Sequence, residues 1–133
     1  MREINISVCD DKTIKTNNEK LGNKLDNGIT KLIFSFNECS FDESLIYKYC
    51  ALKNSSQDIF YLVEIPDNYF VLSDFYTKVP GNYSLLVILS DTELESGCID
   101  INGNTFVSDV LNMVIEDNFL NDNFEIKENE EAM

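Results

Sequence analysis

The stretch Tyr83-Ser84-Leu85-Leu86-Val87-Ile88-Leu89 decides the fold class of this chain. Six of its seven residues are apolar, and turn-forming residues flank it on both sides, Pro80-Gly81 before it and Ser90-Asp91 after it. A short apolar run with β-branched residues between turns favours a strand over a helix, and its lack of alternation indicates that both faces are covered. We therefore expect a strand in the interior of a sandwich.

Upstream of this run, alternation of apolar and polar residues with a period of two predicts further strands. The strands predicted in this way cover residues 4–8, 32–36, 45–52 and 59–65, and Asp67-Asn68 then turns the chain toward the segment Tyr69 to Leu72. The second of them, Leu32 to Phe36, is the expected central strand. Asn54 to Gln57 predicts a hairpin turn, Pro66 ends the following strand because proline cannot donate to a ladder, and Asp74 to Lys78 predicts one helical turn.

Two polar segments are predicted as connections. Residues 9–28 form a long loop with one short strand near Thr13 to Thr16, and Asn102-Gly103 favours a two-residue hairpin turn. Asp100, Asn102 and Asn104 also have the alternating oxygens of a calcium loop. Their glycine stands fourth instead of sixth, however, and no glutamate follows at the twelfth position, so the hairpin is preferred. A last strand is expected from Phe106 to Ile115.

These elements fit one domain in a chain of 133 residues. Residues 1–118 are predicted to form an all-β sandwich of seven or eight short antiparallel strands, with a five-stranded barrel as the alternative. Residues 119–133 are predicted to be an acidic, disordered tail or the start of a linker.

Composition excludes several functions. The formal charge is -14, from 24 acidic and 10 basic residues, and such a charge repels nucleic-acid phosphates and anionic membranes. The chain contains no histidine, so Ser-His and Cys-His catalytic pairs are excluded. No signal peptide or membrane-length apolar run is present, which predicts synthesis in the cytoplasm. We expect no enzymatic activity and no cofactor.

The remaining chemical groups do not form a recognisable site. Cys9, Cys39, Cys50 and Cys98 have no CxxC spacing, which predicts free thiols and no metal site. A glycosidase cleft is disfavoured because the chain lacks tryptophan, and its five glycines form no phosphate-binding loop. The acidic groups fall in turns, where a solvated face is the simplest explanation: Asp42/Glu43, Asp91/Glu93/Glu95 and Glu116/Asp117.

One aromatic group is a candidate protein-interaction site. Tyr69, Phe70, Phe75 and Tyr76 straddle a strand end and the following turn, where side chains can reach an edge or a partner surface. Packing in the core is the alternative explanation for these four residues.

The order of these segments resembles a known family. The resemblance rests on Glu3 to Val8, on the Lys31-Leu32-Ile33-Phe34-Ser35-Phe36 strand, on the hairpin from Tyr47 to Ile65, on Tyr69 to Leu72, on Gly81-Asn82-Tyr83-Ser84-Leu85 with its following hairpin, and on Ser108 to Ile115. Over residues 1–120 it is similar to the N-terminal immunoglobulin-like domain of phage baseplate upper proteins and related tail structural proteins.

The resemblance implies an immunoglobulin-like β-sandwich that docks on a phage tail and supports receptor-binding components. It implies no catalytic residue. The expected partners are other tail or baseplate proteins, with the chain a homo-oligomer within the virion. The alternatives are a soluble acidic inhibitor, whose charge imitates nucleic acid toward a basic host protein, and a carbohydrate-binding sandwich, which the missing tryptophan disfavours.

Overall fold

The computed structural model describes residues 1–37, 41–57, 60–94 and 104–118. These residues form ten strands and one short helix. In chain order they are β1 (Arg2–Cys9), β2 (Ile14–Thr16), β3 (Lys20–Asn23), β4 (Thr30–Asn37), β5 (Tyr47–Asn54), β6 (Phe60–Glu64), β7 (Tyr69–Leu72), α1 (Asp74–Thr77), β8 (Gly81–Ser90), β9 (Thr105–Val107) and β10 (Leu111–Glu116). Within this part of the chain, no helix is long and apolar enough to cross a membrane.

The strands form two sheets that pack against each other. One sheet has the order β2-β1-β4-β7, and the other has the order β3-β10-β8-β5-β6, with β9 paired to the far end of β8. Alternate residues of each strand point into the space between the sheets. The fully buried side chains there include Ile4, Ile6, Leu21, Leu32, Leu52, Leu72, Leu85 and Ile115. The prediction of an all-β sandwich is therefore confirmed.

The connections follow the immunoglobulin pattern from β4 onward. The chain crosses from β4 to β5 in the other sheet, forms the β5–β6 hairpin, returns to pair β7 with β4, and crosses again to β8 and β10. Immunoglobulin-like sandwiches place strands B and E in one sheet and C, F and G in the other, as here.

A tyrosine fixes the crossing from β7 to β8. The Tyr83 hydroxyl donates to the backbone carbonyl of Val79, four residues upstream, and its ring is buried at the start of β8. This is the position and bond of the tyrosine corner of immunoglobulin-like domains. The residue two positions later is Leu85, where antibody domains have a cysteine, and Cys50 in the core is a free thiol.

Two details of the predicted sandwich are wrong. Not every strand pair is antiparallel, because β1 runs parallel to β4 over its whole length and β3 runs parallel to β10. The connection over residues 10–29 returns the chain to the end where β1 began, which a parallel pair requires. That connection is also not a simple loop. Besides the predicted short strand, now β2, it contains β3, so the described residues hold ten strands instead of seven or eight.

The predicted last strand is broken into two. β9 pairs with the end of β8 and β10 pairs with its beginning, and residues 108–110 separate them. The Ser108 hydroxyl accepts the N–H of Val87 at 2.9 Å, so a side chain replaces a backbone acceptor of the ladder at the break. The predicted hairpin turn at Asn102-Gly103 and the predicted tail over residues 119–133 lie outside the described residues.

Candidate functional site

Three aromatic rings meet where α1 approaches β6. The ring centroids of Tyr61 and Phe75 are 5.0 Å apart, those of Tyr61 and Tyr76 are 5.4 Å apart, and those of Phe75 and Tyr76 are 5.2 Å apart. All three pairs have the edge-to-face geometry that the ring quadrupole favours. We call Tyr61, Phe75 and Tyr76 the ring cluster.

The ring cluster is continuous with the core. Tyr76 contacts Phe70 at 6.0 Å between centroids, and Phe70 stacks on Phe34 of β4 at 6.2 Å. Phe70 is buried and Tyr76 is partly buried, whereas Phe75 is 59% exposed. Burial raises the pKa of the Tyr76 hydroxyl. Phe75 is therefore an exposed ring held in place from below by a packed column of rings.

The four predicted interaction residues divide between two surfaces. Phe70, Phe75 and Tyr76 lie together. Of these three, Phe70 is buried, so packing in the core, the alternative explanation, applies to it. Tyr69 points to the opposite face of β7, where it is 43% exposed and the Lys31 ammonium lies 4.3 Å from its ring centroid. Tyr61 belongs to the ring cluster although it was not predicted as an interaction residue. Its alternation with Val63 and Ile65 puts these three side chains on one face of the predicted strand, but the pattern does not say which face is the inner one.

β7 presents an open strand edge next to these rings. Within the described residues it pairs only with β4. The Phe34 N–H donates to the Asn68 carbonyl at 2.8 Å, so alternate residues of β7 face β4, and Tyr69 and Val71 turn their N–H and C=O groups outward. An edge of this kind can accept a strand from another protein.

The outer face of the six-stranded sheet carries a second apolar surface, which we call the outer apolar face. Its side chains form a cluster separate from the core, in which the residues Tyr49, Ala51, Ile88 and Leu94 are buried and the residues Tyr47, Leu62, Leu86 and Val107 are partly buried. A groove of about 340 Å³ runs along it, with Phe60 at 39% and Val110 at 53% exposure on its margins. The apolar run of β8 predicts burial on both faces. The structure buries both faces from Val87 to Ser90 and leaves Leu86 half-buried on the outer face.

Hydrogen bonds and burial explain the shifted pKa values on these surfaces. Burial raises the pKa of the Tyr49 hydroxyl, which accepts the N–H of Leu94 at 2.9 Å, and the nearby carboxylates of Glu64 and Glu93 raise it further. Burial alone raises the pKa of the Cys50 thiol far above its ordinary value. A thiol in this environment is not a nucleophile, because the thiolate is the reactive form.

The predicted acidic groups are spread over the surface. Asp42 and Glu43 are exposed, and hydrogen bonds from Ser44 lower the pKa of Asp42. Glu116 forms an ion pair with Lys20 at 3.1 Å. Glu95, Cys39 and Cys98 lie outside the described residues. Among the residues that are described, no three His, Cys, Asp or Glu side chains are grouped so that they could hold a metal ion.

No protein-family model matches the chain, and no curated protein sequence matches it significantly.

Proposed function

We propose that this protein is a non-enzymatic adaptor domain of a phage virion, which docks tail or baseplate proteins and supports receptor-binding components. The observation that carries the proposal is that the protein has both an exposed aromatic ring, Phe75, and an open strand edge at β7. The resemblance to baseplate upper proteins supplies the class of partner.

The ring cluster has the properties of a docking anchor. Large aromatic side chains dominate binding energy at protein interfaces, most of all when they are held rigidly before binding. Tyr61 and Tyr76 fix the Phe75 ring by edge-to-face contacts, so little side-chain freedom is lost when a partner covers it. The open edge of β7 can add main-chain hydrogen bonds to a partner strand.

The adaptor acts by packing and strand addition, so it needs no cofactor. In a symmetric tail organelle, one copy per repeated position makes the chain a homo-oligomer in place. The large negative charge then keeps the unassembled chain soluble in the host cytoplasm.

The alternative of an acidic inhibitor uses different residues, and this makes the two functions separable. An inhibitor that imitates nucleic acid would bind through carboxylates such as the partly exposed Asp91 and the exposed Glu93, and its affinity would fall steeply with salt. The adaptor depends on Phe75 and the edge of β7.

The first test is quantitative peptide mass spectrometry of purified phage or tail particles beside the soluble lysate. We expect peptides of this chain in particles at a fixed ratio to tail components. Peptides found only in the soluble fraction would reject the adaptor and lead to a search for a basic host partner.

A matched pair of variants tests the site itself. Phe75→Ser should lower incorporation into particles by about tenfold or more, the loss expected for a buried aromatic anchor. Ile46→Ser removes a side chain that is 65% exposed and lies outside the ring cluster, and it should incorporate normally. Equal incorporation of both variants would exclude Phe75 as the anchor.

A further inference from the structure

The six-stranded sheet ends at β6, which presents a second open strand edge. Within the described residues β6 pairs only with β5. The Ile65 N–H donates to the Lys48 carbonyl at 2.9 Å, and the strand register continues this bonding at every second residue of β6. The N–H and C=O groups of Phe60, Leu62 and Glu64 therefore point away from β5. Three residues of this edge turn both backbone groups outward, against two residues at the edge of β7.

β6 lacks the features that usually protect an edge strand from association. Proteins protect such edges with lysine, proline or a bulge, and Phe60-Tyr61-Leu62-Val63-Glu64 contains none of these. The ring cluster contacts β6 through Tyr61 on its inner face, whereas the Leu62 side chain lies on the outer apolar face. An edge strand rich in aromatic and β-branched residues favours the addition of another strand.

The edge of β6 is complementary to itself in one antiparallel register. When Leu62 lies opposite Leu62 of a second copy, Phe60 of each copy lies opposite Glu64 of the other. Every outward residue then meets an outward residue, so the three opposed pairs form two N–H···O=C bonds each. A shift of the register by two residues removes one of the three pairs.

This register also keeps like charges apart. In the central row Leu62 meets Leu62, with Ala51 beyond it on β5 of each copy, so the row stays apolar. The two Glu64 carboxylates lie four residues apart along the strands, about 13 Å, which exceeds the screening length of about 8 Å. Each Glu64 instead enters the row of Phe60 and Lys53 of the other copy. For a chain with a formal charge of -14, a contact that opposes no carboxylates limits self-repulsion.

We propose that β6 is the interface of a two-fold symmetric dimer of this chain, in which the β6 strands of two copies pair antiparallel about Leu62. The pair joins the two six-stranded sheets into one continuous sheet. Because each copy uses its own β6 edge, the dimer leaves no β6 edge free for a third copy. The pairing uses no backbone group of β7, so it goes beyond the docking function and does not depend on it.

Sedimentation velocity of the full chain tests the oligomeric state. Between about 1 and about 200 µM, we expect a concentration-dependent shift from monomer to dimer. A chain that stays monomeric over the whole range overturns the proposal, whatever else pairs with this edge. If the dimer forms in solution but the chain is absent from particles, the proposed function fails and the dimer stands.

A pair of lysine variants tests the location of the interface. Leu62→Lys should weaken the dimer by about tenfold or more, because it places two ammonium groups directly opposite each other. Val71→Lys is the matched control, since it adds the same charge at an outward residue of β7, 37% exposed, and should leave the dimer unchanged. Equal weakening by both variants, or none by Leu62→Lys, overturns the assignment to β6. Circular dichroism confirms that each variant is folded.

Cysteine variants test the register. Leu62→Cys brings two thiols together on strands whose opposed Cα atoms are about 5.5 Å apart, within the range of a disulfide. Mild oxidation should link about half or more of this variant as covalent dimers. Glu64→Cys places the two thiols about 13 Å apart and should link no more than the wild type, whose four cysteines set the background. The double variant Phe60→Cys/Glu64→Cys should link again. Equal linking of the two single variants excludes pairing about Leu62.

Hydrogen exchange measured by mass spectrometry reports on the unsubstituted chain. The peptide that contains β6 should exchange about tenfold more slowly at about 200 µM than at about 1 µM, because its outward N–H groups become bonded in the dimer. The peptide that contains β7 is the internal control and should exchange equally at both concentrations. Exchange in β6 that does not change with concentration overturns the proposal.

Discussion

Tyr83 stabilises the sandwich through one hydroxyl group. Its ring is buried at the start of β8, and its O–H donates to the carbonyl of Val79 just before that strand. The bond closes the crossing between the two sheets, at a place where α1 has only four residues and contributes little stability by itself.

Tyr83→Phe should lower the free energy of unfolding by about 1–2 kcal/mol, because it removes a buried hydrogen bond and leaves the Val79 carbonyl without its donor. Urea denaturation measures the loss. Tyr69→Phe is the control, since its ring lies on an exposed face, and it should change stability by less than about 0.5 kcal/mol. A loss equal to the control would mean that this bond does not hold the crossing.

The buried tyrosines predict how stability responds to alkali. Burial is the largest cause that raises the pKa of Tyr49, Tyr76 and Tyr83 above the ordinary value of 10.0. Above that pH the unfolded chain loses tyrosine protons that the folded chain keeps. The folded state then binds more protons, so the free energy of unfolding falls as pH rises.

The contribution of the three tyrosines is complete below pH 10.0 and is lost as the pH rises through their higher folded-state values. Urea midpoints measured from about pH 8 to about pH 11 should decline above pH 10, and Tyr83→Phe should decline less steeply than the wild type. A parallel decline in both proteins would assign the effect to other groups.

Between strands, Arg2 links the two sheets. Its guanidinium extends from β1 to β3 of the other sheet, where it donates to the Leu21 carbonyl at 2.9 Å and to the Lys20 carbonyl, and it also bonds the Thr30 hydroxyl at 3.2 Å. Arg2→Met keeps the apolar stem and removes these donors.

We expect Arg2→Met to lower the free energy of unfolding by about 2–3 kcal/mol, the range for hydrogen bonds from a charged group. Lys15→Met removes an exposed cation from β2 and serves as the control, with little expected change. Similar losses in both variants would indicate a general effect of net charge instead of a link between the sheets.

Period-two alternation predicted β1 and β4, and the continuous apolar run from Tyr83 to Leu89 predicted β8. β3 could not be predicted, because Lys20-Leu21-Gly22-Asn23 contains a single large apolar residue and is held by pairing with β10. The parallel pairs depend on contacts between distant segments, which local pattern does not encode. The break before β10 depends on one serine hydroxyl.

The candidate sites, like the strands, could be predicted from the sequence only in part. The sequence predicted an aromatic group near the end of β7, but it could not separate Phe75, which is exposed, from Phe70, which is buried, because that depends on how α1 meets β6. The outer apolar face was visible as the second apolar register of β8, formed by Leu86 and Ile88. The predicted burial of both faces is correct for Ile88, which packs with Tyr49 and Leu94, and it is wrong for Leu86, which stays half-buried.

For the whole molecule, repulsion between carboxylates opposes folding. The formal charge is -14, and among the described residues the single ion pair is Lys20–Glu116, between partly exposed side chains. Surface pairs of this kind contribute at most about 1 kcal/mol. Screening of the repulsion should therefore stabilise the fold.

Raising NaCl from about 10 mM to about 500 mM should increase Tm by several degrees, because the screening length falls from about 30 Å to below 5 Å. The measurement is calorimetry of the wild-type chain at low concentration. Sulfate is avoided because it strengthens apolar burial by itself. A Tm that falls with NaCl would mean that attractive pairs outweigh repulsion.

The pairing of β3 with β10 has a consequence for synthesis on the ribosome. β3 lies within the first 23 residues, whereas its parallel partner begins at Leu111. Most of the chain must leave the exit tunnel before this pair can close, while β1, β2 and β4 can pair much earlier. We expect the nascent chain to form the four-stranded sheet first and to complete the six-stranded sheet last, with β3 and β8 awaiting β10.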